Sequence, residues 1–301
     1  MIDYLYISTY YIFEFLVRIL PKSLMNKLLY RLSSFVYRID KKHHDIINTN
    51  LDLAFNNTMS QSQKDIIGKH TFYNLLQTII GFMRRGKIHK KELLKYITYK
   101  NEDILLNALK QEKKIIFITG HYSNWELIPP ILTSKFGINL SIIGRKLDSE
   151  IMDKLLVRKR EKFNVKMIYR QGAMKYAIKT LKENNALGLL LDQHISPKQG
   201  AIEVKFFNHR VYQSPAASIL GRLTNAVIIP VFISTNNYND YTLTFYPILP
   251  IIKTKNKEAD IQKMTQAQSD IIEKVIYNKP DEWFWVHKRW KAFNNDLYKQ
   301  K

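Results

Sequence analysis

The chain contains no cysteine, which excludes a disulfide framework, a thiol nucleophile and cysteine metal sites while leaving the redox compartment open. Glycine and proline are scarce, 10 and 9 among 301 residues, and they never gather into a linker that would divide the chain. No internal repeat or low-complexity run is visible. Acidic side chains are few: 26 Asp and Glu stand against 47 Lys and Arg, a formal net charge of +21. That imbalance asks for an acidic partner (nucleic acid, anionic lipid or an acidic carrier protein) or reflects a solvated basic surface. Long apolar runs are missing too. Residues 4–20 come nearest, but Glu14 and Arg18 interrupt them, and they fall short of the roughly 20 apolar residues that span a bilayer. They also lack the basic start and small-residue cleavage site of a secretory signal peptide.

What is present suffices for a large core, since 46% of the chain is hydrophobic. The tyrosines of residues 4–20 suit the headgroup level of a membrane. They predict an interfacial or marginally spanning anchor over residues 1–20, with a helix packed on the protein's own core as the plain alternative. Residues 1–110 read as a helical arm: "PKSLMNKLLYRLSSFVYRI" and "SQSQKDIIGKHTFYNLLQTIIGFM" both carry helical spacing. From 111 to 301 the rhythm changes. Candidate strands are "IIFIT", "INLSIIG", "VKMIY", "LGLLL", "IEVKFF", "AVIIPVFI" and "YTLTFY", most of them separated by amphipathic stretches. This alternation predicts an α/β core with a largely parallel central sheet flanked by helices, its last two strands antiparallel. A helical pair, "DIQKMTQAQSDIIEKVIYN" and "PDEWFWVHKRWK", is expected to close it.

In open α/β sheets ligands bind beyond the carboxyl ends of the strands. After "IIFIT" comes His121, after "INLSIIG" Arg145, after "VKMIY" Arg170, and after "LGLLL" Asp192. A base candidate, two guanidiniums and a carboxylate thus share one edge of the sheet. Glu126, five residues beyond His121, falls in the first turn of the next helix, from where it reaches back to fix the imidazole tautomer. A second reading is structural: Ser123 and Glu126 form S-x-x-E, a helix capping box. The sequence holds no G-x-S-x-G elbow, no phosphate-binding G-x-x-x-x-G-K-[ST] loop and no H-E-x-x-H zinc motif. A histidine–carboxylate pair without a protein nucleophile suits activation of a substrate hydroxyl. His43 and His44 lack ligand partners at useful spacing and read as a surface pair, so no metal site and no cofactor is expected.

"GHYSNWE", followed in order by the "GR" of Gly144 and Arg145, "RKREKF", "LLLDQH", "VKFF", "GRLTNAVIIPVF" and "WFWVHKRWK", and preceded by "NLDLAF", resembles the late acyltransferases of bacterial lipid A biosynthesis. These lauroyl and myristoyl transferases bear an H-x4-D/E motif. Ser123 stands where many members have glycine, and Asn208 where glycine commonly follows the paired phenylalanines, Phe206 and Phe207. The resemblance covers nearly the whole chain. It implies a glycerol-phosphate-acyltransferase-like fold and transfer of a fatty acyl chain from an acyl carrier protein thioester to a hydroxyacyl chain of a lipid A precursor. It also implies a place at the cytoplasmic face of a Gram-negative inner membrane. Carried over, His121 is the general base and Glu126 its orienting partner. Arg145 or backbone N–H groups become oxyanion donors. Arg158, Arg160 and Arg170 become holders of the acceptor's phosphate and sugar-acid groups, and Asp192 orders an arginine or a hydroxyl.

Other classes compete with this expectation. A related acyltransferase acting on another glycolipid or aminolipid needs the same local chemistry. The charge and "LLVRKREKFNVK" alone would suit nucleic acid, but none of the usual reader motifs is present. A basic membrane-surface protein without catalysis needs only the charge and the anchor. Trp283, Trp285 and Trp290 fit a membrane-facing edge or, as bracketing aromatics usually do, a core.

Overall fold

The structure is a computed structural model that describes residues 2–85 and 88–299. Four helices lead: α1 (Ile2–Ile19), α2 (Lys22–Ile39), α3 (Lys41–Ala54) and α4 (Gln61–Arg85). Short α5 (Lys90–Leu94), strand β1 (Ile97–Lys100) and α6 (Glu102–Lys110) follow. The core then alternates β2 (Ile115–Thr119), α7 (Ile128–Phe136), β3 (Leu140–Gly144), α8 (Glu150–Glu161), β4 (Val165–Tyr169), α9 (Ala173–Lys182) and β5 (Ala186–Leu190). A hairpin of β6 (Ile202–Phe206) and β7 (His209–Gln213) precedes α10 (Ala216–Thr224), β8 (Val227–Thr235), β9 (Tyr241–Phe245) and α11 (Lys257–Asn278).

Seven strands form one sheet in the order β1-β9-β8-β2-β5-β3-β4. β8, β2, β5, β3 and β4 run parallel, and β9 pairs antiparallel with β8. Parallel strands connected by helices must be covered on both faces, which is why "IIFIT" is apolar without alternation. Successive side chains still divide between the faces. Ile116 and Ile118 pack with Ile47, Leu51, Leu220 and Ile276 on one side, whereas Ile115 and Phe117 pack with Leu105, Ile131 and Leu132 on the other. Pro230 lies inside a central strand, where proline is normally excluded. It sits where β8 changes partners: Pro230 is the last residue paired with β2, and Val231 the first paired with β9.

Three expectations are corrected. The helical arm is interrupted by β1, four residues that extend the sheet alongside β9 and are too short to show a period. "IEVKFF" does not join the main sheet but forms the separate β6–β7 hairpin. Its two-residue turn, Phe207 and Asn208, has φ of 50° and 59°, the twist that tight hairpins require and that Asn tolerates. "PDEWFWVHKRWK" is not a helix. Beyond a single turn at Pro280–Glu282 it runs as an irregular closing segment. Its tryptophans are core: Trp283, Trp285 and Trp290 are 1%, 0% and 0% exposed.

Trp290 lies against Phe206 and Trp283, ring centroids 5.6 and 6.2 Å away, and donates from Nε1 to the Phe206 carbonyl at 3.1 Å. Trp290→Ala is expected to cost about 3–5 kcal/mol, since it opens a large cavity and orphans a carbonyl. Chemical denaturation checks this: a shift worth under about 1 kcal/mol would mean that the segment is not part of the core.

Candidate active site

β2 ends at Thr119, and the chain emerging beside it from β5 is held by a hydrogen bond from Leu191 N to Thr119 O of 3.0 Å. Two strands distant in sequence thus deliver His121 and Asp192 to one place. Gly120 permits the approach, because a Cβ there would stand only 3.2 Å from Asp192 Cβ and Cγ. The His121 backbone N–H donates to Asp192 Oδ2 at 2.8 Å, and Nδ1 lies 2.9 Å from Oδ1. Trp283 Nε1 donates to Oδ2 at 2.8 Å.

The Asp192 carboxylate is 1% exposed. Burial alone would push its pKa up, but the His121 charge and the hydrogen bonds from His121 and Trp283 hold it well below the usual carboxylate range. An ionised carboxylate only accepts, so the proton of the shared bond belongs on Nδ1 and Nε2 is left as the basic nitrogen. For His121, burial pulls the pKa down. Asp192, through charge and hydrogen bond, and Glu126 through charge, outweigh that and raise it above 6.5. The ring stands edge-on to Trp125 at 5.0 Å and tilted to Phe284 at 6.1 Å, with the side chain 21% exposed.

The closing segment fixes this arrangement. Phe284 N donates to His121 O at 3.0 Å and Ser123 N to Glu282 O at 2.7 Å. Arg289, 0% exposed, donates from Nη1 to the Gln193 and Tyr212 carbonyls at 2.8 Å each. His287 Nε2 accepts from His194 N at 2.9 Å, so the loop carrying Asp192 is pinned along its length.

Glu126 goes elsewhere than expected. It sits in a turn at Trp125–Leu127, and its carboxylate accepts from Arg160 Nη2 at 2.5 Å and Nε at 3.3 Å. Burial raises its pKa, but Arg160, Arg85 and His121 more than offset that and keep it ionised. The carboxylate hydrogen-bonded to the imidazole is therefore Asp192, with Glu126 acting on the ring through its field. The capping box does not form either: Ser123 has φ of 50° and its buried Oγ has no hydrogen-bond partner among the described residues.

Of the strand-end and helix cations expected here, the structure brings Arg160 into the cluster. Arg145 is exposed and pairs with Asp148 at 3.0 Å, Arg158 is exposed on α8, and exposed Arg170 donates to Gln199 at 2.6 Å. These three lie on the solvent rim. Phe206 and Phe207 are buried packing residues. Trp283, Phe284 and Arg85 were not anticipated. The dense aromatics of "WFWVHKRWK" were the one visible signal for the first two. Among the described residues no group of three or more His, Asp or Glu side chains assembles that would hold a metal ion.

A histidine held by a buried aspartate thus stands at the mouth of a parallel sheet, where open α/β folds place their ligands. The chain belongs to the bacterial lipid A biosynthesis acyltransferase family, whose model matches residues 1–292, and it is an acyltransferase. It is 22% identical over 255 residues to the lipid A biosynthesis palmitoleoyltransferase of Escherichia coli K12, covering 84% of this chain and 80% of that protein. To the lauroyltransferase of the same organism it is 22% identical over 279 residues, 91% and 87% of the two chains. The solved 1-acyl-sn-glycerophosphate acyltransferase PlsC of Thermotoga maritima aligns with 86% of this chain and 97% of its own, with TM-score 0.42 and 12% identity.

The electrostatics can be checked without substrate. Titration of the His121 ring protons by NMR, assigned with His121→Gln, is expected to give a pKa above 6.5 that falls in Asp192→Asn. Because the folded-state value is raised, the pair stabilises the fold fully below about 6.5 and loses that contribution as pH rises through the folded-state pKa. A His121 pKa below 6.5, or one unmoved by Asp192→Asn, would contradict the pairing.

Proposed function

We propose that the chain transfers a fatty acyl group from an acyl carrier protein thioester to the hydroxyl of a hydroxyacyl chain on a lipid A precursor. The observation that carries the mechanism is the His121–Asp192 contact through Nδ1, which leaves Nε2 without a hydrogen-bond partner among the described residues. His121 Nε2 takes the proton of the acceptor hydroxyl as its oxygen attacks the thioester carbonyl. Collapse of the tetrahedral adduct breaks the C–S bond, and the imidazolium returns the proton to the departing thiolate. Asp192 orients the ring and, with Glu126, stabilises the imidazolium. Glu126 thus keeps a part in the pair expected from sequence, as a second carboxylate held by Arg160. No step uses a nucleophile of the protein.

The first two helices support membrane association. Among the described residues no helix is long and apolar enough to cross a membrane. α1 turns Ile12, Phe13, Phe15, Leu16 and Ile19 outward, and α2 adds Leu28, Leu32, Phe35 and Ile39. Glu14, the acidic interruption of α1, points inward instead, 6% exposed and bonded to Lys159 at 2.5 Å. An apolar helix that turns its carboxylate toward protein and its hydrocarbon toward solvent fits a lipid surface. We place that surface on the cytoplasmic face of the inner membrane, where an acidic carrier protein meets a chain of net charge +21.

Acyl transfer from a panel of carrier-protein thioesters to a lipid A precursor, in detergent, tests the reading. His121→Ala is expected to lower kcat/KM by about 10³-fold or more, and Asp192→Asn by about 10²–10⁴-fold, with the wild-type rate rising with pH through a pKa above 6.5. Full activity in both variants removes the base assignment. Transfer to another glycolipid or aminolipid in place of the precursor removes the acceptor. Separately, the double variant Phe15→Glu, Ile19→Glu is expected to weaken sedimentation with anionic vesicles by at least about tenfold, since each side chain is worth roughly 1.5–3 kcal/mol when buried. Unchanged sedimentation would rule out the α1 face.

A further inference from the structure

Arg85, at the end of α4, has no counterpart in the mechanism above. Its side chain is 6% exposed, and both Nη1 and Nη2 are buried without a hydrogen-bond partner among the described residues. It lines a narrow cleft together with Phe82, Glu126, Pro130, Lys159 and Arg160. A buried guanidinium with both terminal nitrogens unsatisfied is costly, and is retained where something else completes its coordination.

Charge says what that is. Among the side chains that line the cleft, Arg85, Lys159 and Arg160 are cations and Glu126 is a carboxylate, a surplus of two positive charges. Burial lowers the Arg85 pKa, but only to about 10, so the group keeps its charge at neutral pH. The interior offers about 10 Å³, the room of one water-sized oxygen. A slender group can thus set one oxygen on the Arg85 fork while the rest remains at the cleft mouth. A surplus of two positive charges matches a dianion better than a monoanion, and both Nη groups of the guanidinium can donate to the one phosphate oxygen that the cleft admits.

We infer that Arg85 is the floor of a binding site for a phosphate monoester, and that the monoester belongs to the lipid acceptor. The second half of that statement rests on the acyl-transfer reading; the first does not. Glu126 contacts Arg160 and faces both Arg85 and His121, so a phosphate held there lies across one carboxylate from the base. The site would anchor the headgroup while the hydroxyl is presented to His121 Nε2. Arg85 is then a substrate-binding residue for the acceptor, separate from the solvent-rim arginines.

The test has two arms, both on the full chain in detergent. In the first, inorganic phosphate is titrated by calorimetry at constant ionic strength, with chloride as control. Wild type is expected to bind phosphate in preference to chloride. Arg85→Gln should bind it at least tenfold more weakly, and Arg85→Lys, which keeps the charge but not the fork, should fall between. Equal binding by wild type and Arg85→Gln, or equal binding of chloride, overturns the site. In the second arm, transfer is compared between an acceptor bearing its phosphate monoester and the same lipid after phosphatase treatment. Removing the phosphate should raise the wild-type KM at least tenfold but change that of Arg85→Gln less than twofold. An Arg85→Gln enzyme that still discriminates tenfold, or one whose KM rises only for the thioester donor, overturns the acceptor assignment. Arg85-dependent phosphate binding without transfer to any lipid supports the anion site and removes the acyl-transfer reading instead.

Discussion

The carboxylate of Asp192 is the constraint on which the rest depends. It is 1% exposed and receives hydrogen bonds from the His121 backbone, the His121 ring and the Trp283 indole. A buried charge is tolerated only where its lone pairs are met, and removing one partner leaves several kcal/mol of uncompensated desolvation, about 3–5 for a broken buried pair. The three donors come from the end of β2 and from the closing segment, and the acceptor from the end of β5. The sheet order that sets β2 beside β5 and the aromatic core that seats residues 283–290 are therefore both conditions for an ionised Asp192. The basicity of His121 follows from that ionisation.

Two carboxylates near one imidazole do different work because their environments differ. Asp192 touches the ring and fixes which nitrogen carries the proton. Glu126 is occupied by Arg160, so it contributes charge at a distance without competing for Nδ1. Arg160 in turn keeps Glu126 ionised and in place, and its Nη1 lies 3.5 Å from Met167 Sδ on β4. A strand two places beyond β5 in the sheet thus supports the second carboxylate. This division explains how a buried histidine is more basic than one in water, although burial by itself works the other way.

Much of this architecture was legible in the sequence, and the failures have physical reasons. β2 and β5 are apolar runs of five residues, the form that strands buried on both faces take. Reading the residues after each strand found both His121 and Asp192. It joined His121 to Glu126 because a five-residue separation implies a local contact, whereas pairing of β2 with β5 spans some seventy residues and leaves no mark in either segment. Arg145 and Arg170 also follow strands, yet these are the last two strands toward one edge of the sheet, and both side chains stay exposed. The closing segment was expected to be helical, although its tryptophans stand two and five residues apart, about 200° and 140° around a helix axis. Burial of all three is satisfied as well by an irregular chain whose N–H groups find carbonyls nearby. Arg85 carried no signal, since a cation at a helix C-terminus is ordinarily explained by the dipole.

α8 joins the proposed lipid-facing surface to the chemistry. Consecutive residues point to the two ends: Lys159 to Glu14 on α1 and to the Met83 carbonyl on α4, Arg160 to Glu126. Residues adjacent on a helix project about 100° apart, so one helix can serve two neighbours without a shared contact. Lys159 is itself desolvated, which lowers its pKa, and Glu14 offsets only part of that loss. α1 is thus fastened to the core by a largely buried ion pair, stronger in effect than an exposed one because water screens it little. The height of His121 above the α1 face is then a property of packed helices. On the proposed reading, an acceptor whose acyl chains remain in the bilayer presents its hydroxyl only at a fixed depth, which rigid attachment of α1 through α8 would supply.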